Sequence, residues 1–168
     1  MTVPFFSAAP RPANEAERQR MVERSGVLGL VATPALDEIV AAAAALCATP
    51  AAALSIIDRD RQWFVASHGI MARQTSRACA FCAHAILTPE QLFCVPDARE
   101  DARFAGNPLV LDGVRIRFYA AAPLAVAPGL ALGALCVFDA APRACVPDTL
   151  ATLGTLAARA TRLILPRA

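Results

Sequence analysis

The spacing of apolar residues changes twice along the chain, from helical to strand-like and back to helical. This order of elements limits the possible folds more than any other feature. Apolar residues from Leu36 to Cys47 recur at helical spacing, which predicts a core-facing helix over about 34–49. A second helical pattern runs from Asp148 to Ile164. Helices at both ends of a set of short antiparallel strands predict an α+β fold. The segments between them that are typical of strands are 53–58, 62–67, 91–95, 116–124 and 132–139, with Ile116 and Phe118 on the same strand face. Residues 68–77 and 97–108 are predicted to be loops, and Cys79–Leu87, which we call the central segment, is predicted to be a short helix.

The first residues differ from the rest of the chain. Positions 1–12 contain three prolines and no periodic pattern, so we expect a flexible N-terminal arm. Asn14, with Glu17 three positions on, has the pattern of a capping box and predicts a helix that ends near Ser25. Because we find no internal repeat and no second domain, residues 13–168 are predicted to fold as a single domain.

Composition and charge exclude several classes of protein. No apolar run reaches the roughly 18 to 20 residues needed to cross a bilayer. The N-terminus also lacks a basic stretch followed by a long apolar one, so we expect a cytoplasmic protein without membrane contact. The net charge of +2 is small and the arginines are scattered, which argues against nucleic-acid binding. All 16 basic residues are arginine, so Schiff-base chemistry and a P-loop lysine are absent.

Six short segments stand out in order along the chain: DRDRQWF (58–64), FCAHAI (81–86), VPDA (95–98), RFAGNP (103–108), IRFY (116–119) and ALGALCV (131–137). Over roughly 14–163 they resemble GAF domains of the kind found ahead of bacterial histidine kinases and diguanylate cyclases. The resemblance implies a central six-stranded antiparallel sheet, with the N- and C-terminal helices on one face and a small-molecule pocket on the other.

The same resemblance implies a role in bacterial signal transduction. Domains of this family often pair through their terminal helices, which suggests a homodimer formed by Asn14–Ser25 and Asp148–Ile164. They normally precede a fused output domain, whereas this sequence stops at Ala168. We therefore expect a free-standing, GAF-like sensor that binds an unidentified small molecule and signals through a dimer or a separate signalling protein.

Six residues are the candidate ligand contacts, because they lie in the central segment, in the loop expected to cover the pocket, or on one strand face. Arg117 with Tyr119 could hold an anionic or carbonyl group; alternatively, Arg117 pairs with Asp97 or Asp101. The histidine of the central segment either contacts the ligand or ties its helix to a backbone carbonyl. The six candidates are His84, Asp97, Phe104, Asn107, Arg117 and Tyr119.

The six cysteines are expected to be free, buried thiols, because disulfides are rare in cytosolic proteins with a full core. The pair Cys79 and Cys82, even with His84 and Cys94, does not complete a usual zinc pattern, so we expect no metal. Bilin-binding members of the family attach the chromophore to a cysteine directly followed by histidine. Here Ala83 intervenes, so we expect no covalent bilin.

Two alternatives to a ligand-binding sensor remain open. A thiol-based redox enzyme or redox sensor would use Cys79, Cys82 or Cys94, and Cys79 would be activated if it began a helix. Methionine sulfoxide reductases of this family place their reactive thiol in the stretch that corresponds to 103–108, which holds no cysteine here. A pure interaction module would instead have its cavity filled by Phe81, Phe104 and Tyr119.

Overall fold

The computed structural model describes residues 5–30 and 32–165. Its α-helices are α1 (Glu15–Ser25), α2 (Pro34–Leu46), α3 (Cys82–Ala85), α4 (Pro108–Leu111) and α5 (Pro147–Ile164). Its strands are β1 (Ala51–Asp58), β2 (Arg61–His68), β3 (Gln74–Ser76), β4 (Phe93–Val95), β5 (Phe118–Ala127) and β6 (Leu130–Asp139). Three short 3-10 helices lie at Val27–Gly29, Arg77–Cys79 and Ala98–Glu100.

The six strands form one antiparallel sheet in the order β3-β2-β1-β6-β5-β4. The central strands β1 and β6 are buried along almost their whole length. They approach closely at Gly133, where an added Cβ atom would lie 1.9 Å from the carbonyl oxygen of Ser55. Glycine is needed here because any side chain would separate the two strands. The predicted α+β fold with a six-stranded antiparallel sheet is confirmed.

The sheet separates two hydrophobic cores. On one side, which we call the helix face, α2 and α5 cover the sheet together with part of α1, through residues such as Val22, Leu36 and Leu153. On the other side, the loop face, α3, α4 and their connecting segments cover it. Phe81 and Phe104 are among the largest fully buried side chains there. The terminal helices therefore lie on one face, as predicted.

Several local predictions differ from the structure. The helix expected over Cys79–Leu87 is divided, because the Ser76 side chain caps a 3-10 turn and Ala80 is extended before α3 begins. The loop expected over 68–77 contains β3, which pairs with β2. Ile116 precedes β5 and packs into the loop-face core, on the opposite side of the sheet from Phe118, because its amide bonds to the α4 region instead of a strand.

The segment before α1 lies against the loop face. Residues 5–12 contain no helix or strand, yet the amide of Ser7 donates to the carbonyl of Arg103 at 3.0 Å. The amide of Gly106 donates to the carbonyl of Phe5 at 2.8 Å. The Asn14 side chain donates to the carbonyl of Gly129 at 2.9 Å and does not cap α1, so the predicted capping box is absent. The segment thus makes defined contacts, while its predicted flexibility remains a prediction.

A buried arginine fastens α1 to the ends of the two central strands. The Arg18 guanidinium donates to the carbonyls of Ile57 at 2.7 Å and Leu132 at 3.3 Å, and to the Glu15 carboxylate at 2.8 and 2.9 Å. Arg77 donates to the same carboxylate at 2.5 and 3.2 Å. Burial alone would raise the pKa of Glu15, but hydrogen bonds from the two arginines outweigh it and lower that pKa to about 2.

We expect this carboxylate to make stability depend on pH below about 4.5. Because the folded pKa of about 2 lies below the ordinary value of 4.5, the stabilisation is complete above pH 4.5 and disappears as the pH falls toward 2. Glu15→Gln should therefore lower the free energy of unfolding by about 2 kcal/mol at pH 7 and by much less near pH 2. Glu17→Gln changes an exposed carboxylate of the same helix and is the control. Thermal unfolding followed by circular dichroism measures the stability of both variants. Equal losses of stability in Glu15→Gln and Glu17→Gln would contradict the prediction.

Candidate ligand-binding site

An aromatic cluster fills the centre of the loop face. The Phe81 ring stacks on Phe104 with centroids 4.0 Å apart, and its centroid lies 4.9 Å from that of Tyr119. Phe93 meets Phe104 and Tyr119 edge-on, at centroid distances of 6.2 and 6.0 Å. Phe81, Phe104 and Tyr119 are almost completely buried. Rings therefore occupy most of the space in which the sequence predicts a pocket.

A small cavity remains beside this cluster, and we call it the loop-face cavity. Its volume is about 110 Å³. Ala72 and Val114 are the exposed residues of its lining, and we call this side of the cavity its mouth. The cavity lies against β2, β5 and β6, with α4 on one side. Most of its wall is apolar, with contributions from Phe64, Leu109, Ile116 and Phe138.

Polar groups in and behind the cavity wall already have partners inside the protein. The Gln62 amide donates to the Thr75 hydroxyl at 2.9 Å. The Tyr119 hydroxyl lies 2.6 Å from the Cys82 sulfur, and the Ser55 hydroxyl donates to that sulfur at 2.9 Å. Burial raises the pKa of Tyr119 well above its ordinary value, so the phenol stays protonated. An uncharged, mostly apolar ligand suits such a wall, because a charged one would lose hydration without finding a partner.

His84 borders a different and more open space. This groove, of about 630 Å³, lies between the N-terminal segment, the end of α3 and β4. The Nε2 atom of His84 lies 3.0 Å from the carbonyl oxygen of Ser7. Burial lowers the pKa of His84, so the ring is neutral at pH 7 and Nε2–H donates to that carbonyl. The structure thus gives His84 the tie to a backbone carbonyl that the sequence allowed as an alternative.

Two further candidates are engaged in the loop that was expected to cover the pocket. Asp97 accepts two hydrogen bonds from the Arg99 guanidinium, at 3.0 and 2.6 Å. Asn107 caps α4 by accepting from the amide of Leu109 at 2.9 Å, and donates to the carbonyl of Cys79 at 3.0 Å. Neither side chain lines the loop-face cavity. Both side chains make structural hydrogen bonds, and their predicted contact with a ligand remains a prediction.

Arg117 does not pair with an aspartate. Its guanidinium donates to the carbonyls of Val110 at 2.8 Å and Ile116 at 3.2 Å, so the ion pair that was the alternative is not formed. Asp101 pairs with Arg103 instead. The predicted role of Arg117 with Tyr119 in ligand binding remains a prediction. Of the six candidate ligand contacts, the loop-face cavity brings only Tyr119 to its wall, while Phe104 lies inside the aromatic cluster and His84 lines the groove.

The expectation of six free thiols is wrong for two cysteines. Cys94 of β4 and Cys145, which precedes α5, form a disulfide with Cα atoms 6.1 Å apart. They are 51 positions apart in sequence, so only the tertiary structure brings them together. Cys79 ends a 3-10 helix, and burial raises its pKa, so no helix dipole activates this thiol. The free thiols are those of Cys47, Cys79, Cys82 and Cys136.

Metal and membrane features were searched in the same part of the chain. Among residues 5–30 and 32–165, no three His, Cys, Asp or Glu side chains are grouped so that they could hold a metal ion. No helix within those ranges is both long enough and apolar enough to span a membrane.

The apolar wall of the cavity was missed from the sequence. Leu109, Ile116 and Phe138 come from three separate segments, and each has the pattern of an ordinary core residue. The signal that would have found them is the register of the β5–β6 hairpin, which places Phe138 directly opposite Tyr119. That register depends on irregularities in β5 between Pro123 and Ala127 that the alternating pattern does not indicate.

Comparison with known sequences relates this architecture to a family. The family model for the GAF domain matches residues 32–164. The chain is also 51% identical over 138 residues to a cyclic di-GMP phosphodiesterase of Pseudomonas aeruginosa. This match covers 82% of the chain but only 23% of that protein, so the chain spans less than a quarter of the length of this curated relative.

Solved structures of low sequence identity share the fold. The GAF domain of a phosphoenolpyruvate-protein phosphotransferase from Acinetobacter is 16% identical, with a TM-score of 0.63 over 89% of this chain and 90% of that one. The chromophore-binding domain of a bacteriophytochrome from R. palustris is 14% identical, with a TM-score of 0.61 over 92% and 63% of the two chains. A type II free methionine-R-sulfoxide reductase from Thermoplasma acidophilum is 12% identical, with a TM-score of 0.59 over 77% and 92%. With its sheet, its two cores and its matched sequence, the chain belongs to the GAF domain family.

Proposed function

We propose that this GAF domain is a sensor that binds a small, uncharged molecule in the loop-face cavity and passes the signal on within a bacterial signalling system. The observation that carries the proposal is the cavity itself. It lies on the face of the sheet opposite the terminal helices, and its mouth is at the exposed residues Ala72 and Val114. A pocket with apolar walls and few polar groups is the usual form of a small-molecule site.

The size of the cavity limits the ligand. A volume of about 110 Å³ is below the range of roughly 300–1,000 Å³ that is typical of drug-sized ligands. An apolar protein cavity of about 150 Å³ holds benzene. The ligand that fits without rearrangement is therefore about the size of benzene or smaller. A cyclic dinucleotide is much larger and does not fit.

The relative in Pseudomonas aeruginosa suggests which reaction the signal controls. It is a cyclic di-GMP phosphodiesterase, and the matched segment is 23% of its length, so most of that enzyme has no counterpart in this chain. The domain proposed here therefore regulates cyclic di-GMP turnover and does not perform it. Whether the catalytic part belongs to the same polypeptide or to a separate signalling protein does not affect the role of the domain.

Among the sequence candidates, we retain Tyr119 as a ligand contact, because it lies in the cavity wall. We add four apolar residues of the cavity wall as further ligand contacts: Phe64, Leu109, Ile116 and Phe138. His84 remains a candidate only for a ligand of the open groove, where the Ser7 carbonyl would compete for its Nε2–H.

Benzene is a suitable first probe of the cavity. At ten times its dissociation constant it should stabilise the folded state by about 1.4 kcal/mol, because binding to the native state alone shifts unfolding by mass action. Ala72→Trp should abolish this shift by filling the mouth of the cavity. Ala41→Trp adds the same side chain at an exposed position of α2 on the helix face and should keep the shift. The measurement is the melting temperature with and without benzene. Equal shifts in both variants, or no shift in the unchanged protein, would refute the proposed site.

The proposed output can be tested in a chimera. The segment of the Pseudomonas aeruginosa phosphodiesterase that matches this chain is replaced by the chain itself. We expect the chimera to hydrolyse cyclic di-GMP and Ala72→Trp to change that rate about fivefold or more, as expected for coupling between two sites. Ala41→Trp should leave the rate unchanged. The rates are measured by product formation. Identical rates for the two variants would show that the cavity does not control the hydrolysis of cyclic di-GMP.

We also propose that the domain forms a homodimer through its terminal helices, as the sequence suggests. The support is that α5 has a solvent-facing side that includes Ala158 and Leu163, the latter 43% exposed. Leu163→Glu should shift the protein from dimer to monomer in sedimentation velocity, because a buried, unpaired carboxylate opposes association. Leu111→Glu on α4, where the leucine is 52% exposed, is the matched control and should leave the dimer intact. A dimer that persists in both variants would place the interface elsewhere.

A cytoplasmic location is proposed as well. Its support is that four cysteines of the chain are free thiols, a state typical of reducing compartments. The disulfide between Cys94 and Cys145 is unusual there, and we expect it to be reduced in part of the population.

A further inference from the structure

The disulfide between Cys94 and Cys145 connects an edge strand to the segment that leads into the last helix. Cys94 is the middle residue of β4, a strand of three residues that lies at the edge of the sheet beside β5. Cys145 lies in the stretch 140–146, which contains no helix or strand and leads directly into α5. The bond therefore fastens two short, peripheral pieces of backbone to each other.

The first turn of α5 is weakly attached to the rest of the domain. Val146 stands at its cap position, and a valine side chain cannot accept a hydrogen bond from the helix amides. Every residue of α5 before Leu153 is half-buried or exposed, and Leu150 packs only partly against the helix-face core. Upstream, the amide of Arg143 donates to the carbonyl of Pro96 at 3.1 Å. Because an uncapped and unburied helix end tends to open, the disulfide is the covalent tie that holds this turn in place.

The two bonded cysteines differ from most of the free ones in their exposure. Cys94 and Cys145 are both half-buried, whereas Cys47, Cys82 and Cys136 are buried. Exchange between a thiol and a disulfide requires that the attacking thiolate reach one of the two sulfurs, so access limits its rate. A bond at the surface of the domain is therefore better placed for exchange than one inside either core.

We propose that the disulfide between Cys94 and Cys145 is a reversible redox switch, which a low-molecular-weight thiol opens in the folded domain and which thereby frees the first turn of α5. The inference does not depend on the loop-face cavity or on ligand binding. The strand β4 also carries Phe93, whose ring contacts Phe104 and Tyr119 at centroid distances of 6.2 and 6.0 Å. The closed bond therefore links the aromatic cluster of the loop face to the start of α5, and the open state lacks this covalent link.

The switch opens in two exchange steps. The thiolate of a first small thiol attacks one sulfur of the disulfide, and the other sulfur leaves as a thiolate that takes up the proton released by the attacking thiol. A second small thiol then attacks its own kind in the mixed disulfide, and the remaining protein sulfur leaves and is protonated in the same way. In total, one protein disulfide and two small thiols give two protein thiols and one small disulfide. Closing is the reverse reaction, with the small disulfide as the oxidant.

The first test asks whether the bond opens without unfolding. The whole chain is incubated with reduced glutathione in buffer and in urea, its free thiols are blocked with N-ethylmaleimide, and the linked peptide that contains Cys94 and Cys145 is measured by mass spectrometry. We expect reduction in buffer at a rate within about tenfold of that in urea, because the bond is accessible in the folded state. Oxidised glutathione should then restore the linked peptide. A slower reduction in buffer, or a bond that does not form again, would overturn the inference.

The second test measures what the open bond frees. Hydrogen exchange is compared between the oxidised protein and protein reduced with a phosphine. We expect the amides of residues 150–153 to exchange at least about tenfold faster after reduction, while those in the centres of β1 and β6 keep their rates. Unchanged exchange at 150–153 would refute the switch. An equal increase throughout the sheet would refute it as well, because the bond would then stabilise the whole domain.

Variants assign the effect to this bond. Cys145→Ser, or Cys94→Ala if the serine variant does not fold, should show the fast exchange at 150–153 with or without the phosphine. Cys79→Ser removes a free cysteine that is also half-buried and is the matched control, so its response to the phosphine should equal that of the unchanged protein. A response to the phosphine that persists in Cys145→Ser would contradict the inference. The readouts are a linked peptide and amide exchange, so a failure to bind benzene would refute the proposed function without deciding this result.

Discussion

The stacking of Phe81 on Phe104 determines how much the loop face can hold. Phe81 precedes α3 and Phe104 precedes α4, so one contact holds two covering segments against the sheet. Stacked aromatic pairs contribute about 0.5–1.5 kcal/mol beyond the burial of their surface. Because the two rings occupy the centre, the free space lies toward β2 and remains small. The free volume on the loop face, and with it the size of the proposed ligand, therefore depends on packing between two loops more than on the sheet.

The same packing separates two spaces of different character. The loop-face cavity is narrow and apolar, and the polar groups around it, such as Ser55 and Tyr119, are directed to the Cys82 sulfur. The groove beside His84 is wide, open and more polar, and the N-terminal segment forms one of its sides. A buried polar atom must find a partner inside the protein, whereas an exposed one can use water. The closed space therefore suits uncharged molecules.

Two connections hold together the elements that surround the loop-face cavity and the groove beside His84. Arg18 joins α1 to the ends of β1 and β6, and it does so with Glu15 and Arg77 as fixed partners. The disulfide of Cys94 and Cys145 joins the edge strand β4, beside the open groove, to the segment that starts α5. The helix α1 is thus attached to the two central strands, and the segment before α5 is attached to the edge strand β4. Such a connection gives a change on the loop face a physical route to the opposite side of the sheet.

The sequence by itself determined the fold class, the positions of five strands and the helices α2 and α5, and the resemblance to GAF domains supplied the number of six strands. Hydrophobic periodicity and the resemblance to GAF domains suffice for these features, because they depend on patterns within single segments. Only the tertiary structure decided that Asn107 caps a helix, that Arg117 bonds to carbonyls, that Cys94 meets Cys145 and that apolar residues line the cavity. The disulfide and the apolar wall depend on which distant segments meet, and the loop residue Asn107 and the neighbouring Arg117 have no period that reveals their hydrogen-bond partners. The physical reason is that the burial of a residue in a helix or strand follows from the local pattern, whereas strand register and the partner of a buried polar group are set by the packing of the whole domain.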